Sequence, residues 1–146
     1  LLLENLQDPG NLGTILRTAE GAGVTGVILS KGCVDLYNPK TIRSTMGSVY
    51  RVPTLYTEDL RETVEQLKAH GIRSFAAHLK GVNFYDQENY RGGTAFLIGN
   101  EGNGLTEELT EQADTLIRIP MEGKLESLNA GVASAILMYE AYRQRR

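Results

Sequence analysis

Short apolar runs alternate along this chain with stretches of helical periodicity, and that alternation restricts the fold more than any other feature. Residues 1–3, 26–29, 49–55, 73–77, 95–98 and 116–119 read as strands, and residues 12–22, 39–46, 58–69, 106–112 and 128–143 read as helices. Such a series predicts an α/β domain with a mostly parallel sheet flanked by helices, because parallel strands require crossover connections. The punctuation agrees. Asn38 is a good N-cap with Pro39 at the first helical position, Gly71 follows a helix ending near His70, and Thr106 precedes the acidic pair Glu107 and Glu108. In the last helix Leu128, Val132, Ala135, Ile136 and Tyr139 recur at helical spacing and predict an apolar stripe turned to the core.

At 146 residues the chain is sized for one domain, spanning 1–146, with a substantial core. Its formal net charge of −3 excludes a domain that holds nucleic acid by bulk electrostatics, so any RNA contact must use a local patch or another domain. No apolar run approaches the roughly 20 residues of a membrane-spanning helix. Cys33 is the single cysteine, and with only His70 and His78 beside it no metal-ligand cluster is expected. A reducing, cytoplasmic setting fits these counts. The chain opens on Leu1-Leu2-Leu3 without a methionine or a charged n-region, which reads as the interior of a longer protein rather than a signal peptide.

Ligands of open α/β sheets bind beyond the carboxyl ends of the strands. Asp8-Pro9-Gly10 and residues 99–104 and 120–126 fall at such ends, so these loops are expected to converge on one edge. Asn11 and Arg17 share the first helix, and spacing alone leaves Asn11 as an N-cap and Arg17 as a surface residue. Glycines at 99, 102 and 104 permit close backbone approach around the carboxylate of Glu101, in the reverse of dinucleotide spacing and without a Walker-type lysine. A strand stops at Ile119-Pro120-Met121, and Ser127 and Asn129 stand where the last helix begins, Ser127 as the ordinary N-cap. The stretch 35–40 with Arg43, Ser44 and Arg51 sets cations beside an aromatic ring on a capped surface helix.

Taken together, residues 11–19, 99–104 and 119–129 resemble, in order, motifs 1, 2 and 3 of the SpoU (TrmH) branch of the SPOUT RNA methyltransferases. The resemblance implies a domain with a deep trefoil knot near the C-terminus, which pattern reading would never propose. It implies S-adenosyl-L-methionine as cofactor, tRNA or rRNA as partner, and methylation of a ribose 2′-hydroxyl without a metal. It assigns Asn11, Arg17, Glu101, Ser127 and Asn129 to the catalytic site, with Glu101 paired to Arg17. A guanidinium is a poor base, so Arg17 is expected above all to pin a phosphate beside the reacting ribose. Cofactor contacts fall to Ala77, His78, Gly99, Asn100, Gly102, Ile119, Met121 and Leu128. The family also implies a small RNA-binding domain upstream and a homodimer, for which Leu12, Ile15 and Leu16 with Leu137, Met138 and Tyr142 are the candidate faces. A nucleotide-dependent dehydrogenase is disfavoured by the glycine spacing. A non-catalytic RNA- or cofactor-binding module is the remaining alternative.

Overall fold

A computed structural model describes the whole chain, residues 1–146. Its strands are β1 (Leu2–Leu3), β2 (Val27–Ser30), β3 (Thr54–Thr57), β4 (Arg73–Ala77), β5 (Asn83–Phe84), β6 (Thr94–Ile98) and β7 (Thr115–Arg118). They form one seven-stranded sheet in the order β3-β2-β1-β6-β4-β7-β5, with every pairing parallel. The helices are α1 (Pro9–Gly21), α2 (Pro39–Thr45), α3 (Leu60–Ala69), α4 (Glu107–Gln112) and α5 (Ala130–Arg145).

Side chains alternate across a strand, and here the alternation divides two cores. Leu3, Phe75, Phe96 and Ile98 join Leu12, Ile15, Leu16, Leu137 and Met138 beneath α1 and α5. Leu2, Ala76, Ala95 and Leu97 join Leu60, Val64 and Leu109 beneath α3 and α4. Continuous burial on both faces explains why the central strands read as unbroken apolar runs. Each large side chain fully buried in this way is worth about 1.5–3 kcal/mol, so α1, with Leu12, Ile15 and Leu16 at 0% exposure, is firmly fixed.

The connection between β4 and β5 has an unusual course. Both strands pair with β7, one on each side, so the loop 78–82 that joins them must cross β7. A Cβ on Gly81 would lie 2.5 Å from the carbonyl carbon of Ile117 and 2.8 Å from the amide nitrogen of Arg118, which only glycine tolerates. Thus β7 is crossed by a loop that links its own two neighbours, in close contact at Gly81.

Three sequence expectations need correction. The strand expected over 49–55 is a 3-10 turn at Ser48–Tyr50 followed by β3, because Pro53 lacks a ladder N–H and Val49 and Val52 are buried by the turn instead. In α5 the stripe Val132, Ala135, Ile136, Tyr139 is not the core face: Val132 and Tyr139 are exposed, and the buried face is Gly131, Ser134, Leu137, Met138 and Glu140. Small residues make the difference. Gly131 lets the helix settle on Thr14 of α1, and this rotation brings Leu137 and Met138 inward. Consequently Leu12, Ile15, Leu16, Leu137 and Met138, proposed as a dimer face, belong to the monomer core, whereas Tyr142 is exposed.

Candidate functional site

The carboxyl ends of β4, β6 and β7 open into a cavity of about 980 Å³. Three loops wall it: the end of β4 with Ala77, His78 and Leu79, the loop 99–105 after β6, and the stretch from Ile117 to Leu128 that leads into α5. Ala77, His78, Gly99, Asn100, Gly102, Ile119, Met121 and Leu128 all line it, as do Glu101 and Ser127. Ala130, Ala133 and Leu137 of α5 form its floor. Leu79, Phe84, Leu105, Arg118 and Leu125 also line the cavity and were not anticipated. Phe84 sits on a strand of only two residues, too short to give a periodic signal, and register pairs it with Arg118, whose guanidinium lies 4.9 Å from the ring centroid.

The glycine loop is held shut by its own backbone. Asn100 and Gly104 exchange N–H donation at 3.1 and 2.9 Å, and the Asn100 side chain accepts from the Gly102 and Asn103 amides while donating to the Asn5 carbonyl at 2.7 Å. Three of the four hydrogen bonds open to the Asn100 amide are therefore made inside the protein. Gly99 is required by this closure, since a Cβ there would stand 2.1 Å from the Gly104 carbonyl carbon.

Beside the cavity runs a chain of polar contacts from Glu101 to the start of α5. The Glu101 carboxylate accepts N–H donation from Asp8 at 2.8 Å and from Gln7 at 3.0 and 3.2 Å. Burial pushes its pKa up, but the donors at Asp8, its own backbone, Gln7 and the Asn11 side chain outweigh that and hold it below the ordinary glutamate range. Asn129, not Ser127, is the N-cap of α5: its Oδ1 accepts from the Gly131 and Val132 amides at 2.8 and 3.1 Å. Its Nδ2 must then face outward, and it donates to Asn11 Oδ1 at 3.0 Å. That fixes the Asn11 amide too, with Nδ2 toward Glu101. Asn11 is free for this because Asp8 caps α1, accepting the Asn11 backbone N–H at 2.7 Å. Ser127 lies exposed in the loop before α5.

Arg17 stands apart. It is exposed on α1, forms no ion pair, and does not line the cavity, so the expected pairing with Glu101 is absent. Helical geometry gives the reason, because six residues from 11 to 17 carry it about 9 Å along the axis and to another side of the helix. At the opposite wall, His78 Nδ1 accepts the Lys80 N–H at 3.0 Å, so the neutral ring carries its proton on Nε2.

Fold and cavity together define an all-parallel α/β domain with a glycine- and backbone-lined ligand site at the strand ends. The sequence profile described as the SpoU rRNA Methylase family matches residues 1–139, and the chain belongs to that family. It is 40% identical over 139 residues to the 23S rRNA (guanosine(2553)-2′-O)-methyltransferase RlmP of Bacillus subtilis, covering 95% of this chain and 56% of that protein. The AdoMet-bound rRNA methyltransferase from Sinorhizobium meliloti superposes with a TM-score of 0.88 at 40% identity, over 97% of this chain and 54% of that one. The SpoU methyltransferase AviRb from Streptomyces viridochromogenes, in complex with AdoMet, superposes with a TM-score of 0.91 at 32% identity, over 98% and 56%. The chain thus spans little more than half the length of these relatives.

Proposed function

We propose that this chain is the catalytic domain of an RNA ribose 2′-O-methyltransferase that uses S-adenosylmethionine. The observation that carries the reading is the coincidence of one cavity with the loops of motifs 2 and 3, with Asn11 of motif 1 bonded to Asn129 at its edge, in a chain whose AdoMet-bound relatives share its fold. Its volume lies in the range of small-molecule sites, and its lining of glycine backbone, Ile117, Ile119, Leu128 and Phe84 suits a nucleoside held by main-chain groups and apolar walls. When bound, the cofactor supplies an electrophilic methyl group on a sulfonium. The protein must then place a ribose oxygen in line and assist loss of its proton.

Glu101 does not fit the part of general base, since its hydrogen bonds favour the ionised form and make it a weak proton acceptor. It serves instead as the anchor that fixes Gln7, Asp8 and Asn11 at the cavity edge. Arg17 offers a planar fork for a phosphate next to the target ribose. It works in trans in this reading: a second copy docks on the exposed stripe of Val132, Tyr139 and Tyr142 and brings its Arg17 to this cavity. The stripe adjoins α1, where a Cβ on Gly21 would lie 2.9 Å from the Tyr139 hydroxyl oxygen. An apolar row exposed on α5, packed against the helix that carries the unpaired Arg17, supports that pairing. The crossing of β7 by the loop 78–82 supports the family's knot. The name of the Bacillus relative favours ribosomal RNA as the substrate.

Calorimetric titration tests the cofactor assignment: S-adenosylmethionine or S-adenosylhomocysteine should bind one site per chain. A folded chain that takes up neither at millimolar concentration overturns the reading.

A further inference from the structure

Few charged side chains line the cavity, and they are unequally used. The carboxylates are Glu101, Glu122 and Glu126, and Arg118 is the only lysine or arginine among the lining residues. Glu101 is engaged with the Gln7 and Asp8 amides. Arg118 has no such engagement. It belongs to none of the ion pairs of the chain. The guanidinium groups of Arg51, Arg61, Arg91, Arg143 and Arg145 donate to protein acceptors, whereas the N–H groups of Arg118 reach none.

An aromatic ring holds Arg118 in place. Alternation along β7 buries Ile117 and turns Arg118 to the other face, where it is exposed. There the parallel register sets it beside Phe84 of β5, with the guanidinium carbon 4.9 Å from the ring centroid. A cation over an aromatic face is attracted without using a donor, so the N–H fork stays open. The backbone that carries it is equally fixed. Strand β7 is paired on both sides, and a Cβ on Gly81 of the crossing loop would lie 2.8 Å from the Arg118 nitrogen. A fixed backbone, a stacked guanidinium and unfilled donors at a cavity wall make a preorganised anion subsite.

The chemistry of the ligand narrows the anion. S-adenosylmethionine has a single negative group, its α-carboxylate, close to an ammonium and a sulfonium. In this cavity a carboxylate is repelled by Glu122 and Glu126, which favour the ammonium and sulfonium, and is attracted by Arg118 alone. We propose that Arg118, held over Phe84, receives the α-carboxylate of S-adenosylmethionine and so selects a nucleoside with an amino-acid tail. The assignment rests on the reading of the cavity as a methyltransferase cofactor site.

The test is calorimetric titration with two ligands that differ only in that group, S-adenosylmethionine and its decarboxylated form. Wild type should bind the first about five- to tenfold more tightly, a modest factor because Arg118 is exposed and water screens the pair. Arg118→Gln should weaken S-adenosylmethionine by that factor and leave the decarboxylated ligand within about twofold of wild type, which removes the preference. Arg118→Lys should recover only part, since it keeps the charge and loses the planar fork. Phe84→Leu keeps an apolar wall without the ring face, and should weaken S-adenosylmethionine alone, by about threefold. Lys68→Gln, outside the cavity, should alter neither ligand. If Arg118→Gln weakens both ligands equally, or neither, the carboxylate assignment is overturned while the methyltransferase reading stands. A folded wild-type chain that binds neither ligand removes both.

Discussion

Replacing Gly99 with alanine probes whether the cavity wall depends on backbone contact within the glycine loop. The added methyl would stand 2.1 Å from the Gly104 carbonyl carbon, 2.2 Å from the Leu105 nitrogen and 2.5 Å from the Gly104 oxygen. All three are main-chain atoms, so no side-chain rotation relieves the clash. The arms of the loop must separate by more than about 1 Å, which breaks the Asn100–Gly104 pair of hydrogen bonds, worth about 1 kcal/mol each. Strain left in a packed wall adds about 1–3 kcal/mol, for a total of about 3–5 kcal/mol. In a domain of this size each kcal/mol lowers Tm by about 2–4 °C, so a fall of about 6–20 °C is expected. Gly102 is the internal control, because the nearest atom to its added methyl is Asn100 Oδ1 at 3.5 Å. Gly102→Ala should shift stability by less than about 0.5 kcal/mol. Thermal unfolding followed by circular dichroism, with hydrogen exchange over residues 99–105, reads both. If Gly99→Ala melts within a degree or two of wild type and its loop exchanges no faster, the close approach is not what requires glycine there.

Asn129 carries two separable duties. Asn129→Ala should cost about 1 kcal/mol through the lost helix cap, whereas Asn129→Ser should keep the cap, fail to reach Asn11, and lose methyl transfer at near wild-type Tm. Glu101 has a depressed pKa in the folded chain, so its stabilising effect is complete above the ordinary glutamate range and disappears as pH falls through the lowered value. Melting curves against pH should show that acid loss in wild type, and Glu101→Gln should flatten it. Tyr139→Glu, on the exposed stripe of α5, should leave the monomer folded and shift light scattering from dimer to monomer at micromolar concentration.

Most of the fold was legible because the central strands are buried on both faces and the helices carry clear caps. Asn38 with Pro39 and Thr106 act as read, each accepting a hydrogen bond from its own first turn. The place of the cavity was legible, because glycines and Pro120 mark loops at strand ends, whereas the individual residues expected there came from the family resemblance and not from the pattern. What failed was orientation. Helical periodicity in α5 finds an apolar stripe but not which of two stripes a small-residue contact turns inward, and Gly131 on Thr14 decided that. The α1 cap was misplaced because Asp8 and Asn11 are both good caps and only the chain's entry angle selects Asp8. The crossing of β7 by the loop 78–82 left only Gly81 as a trace, one glycine among the 16 in the chain.

The account stands most directly on where the methyl group goes. Ribose methylation of total RNA should be mapped by mass spectrometry in cells with and without the protein that carries this domain. One 2′-O-methyl mark should vanish on deletion, return with the wild-type gene, and fail to return with Arg17→Ala. Identical ribose maps in both cells, or a lost mark that lies on a base, would contradict it.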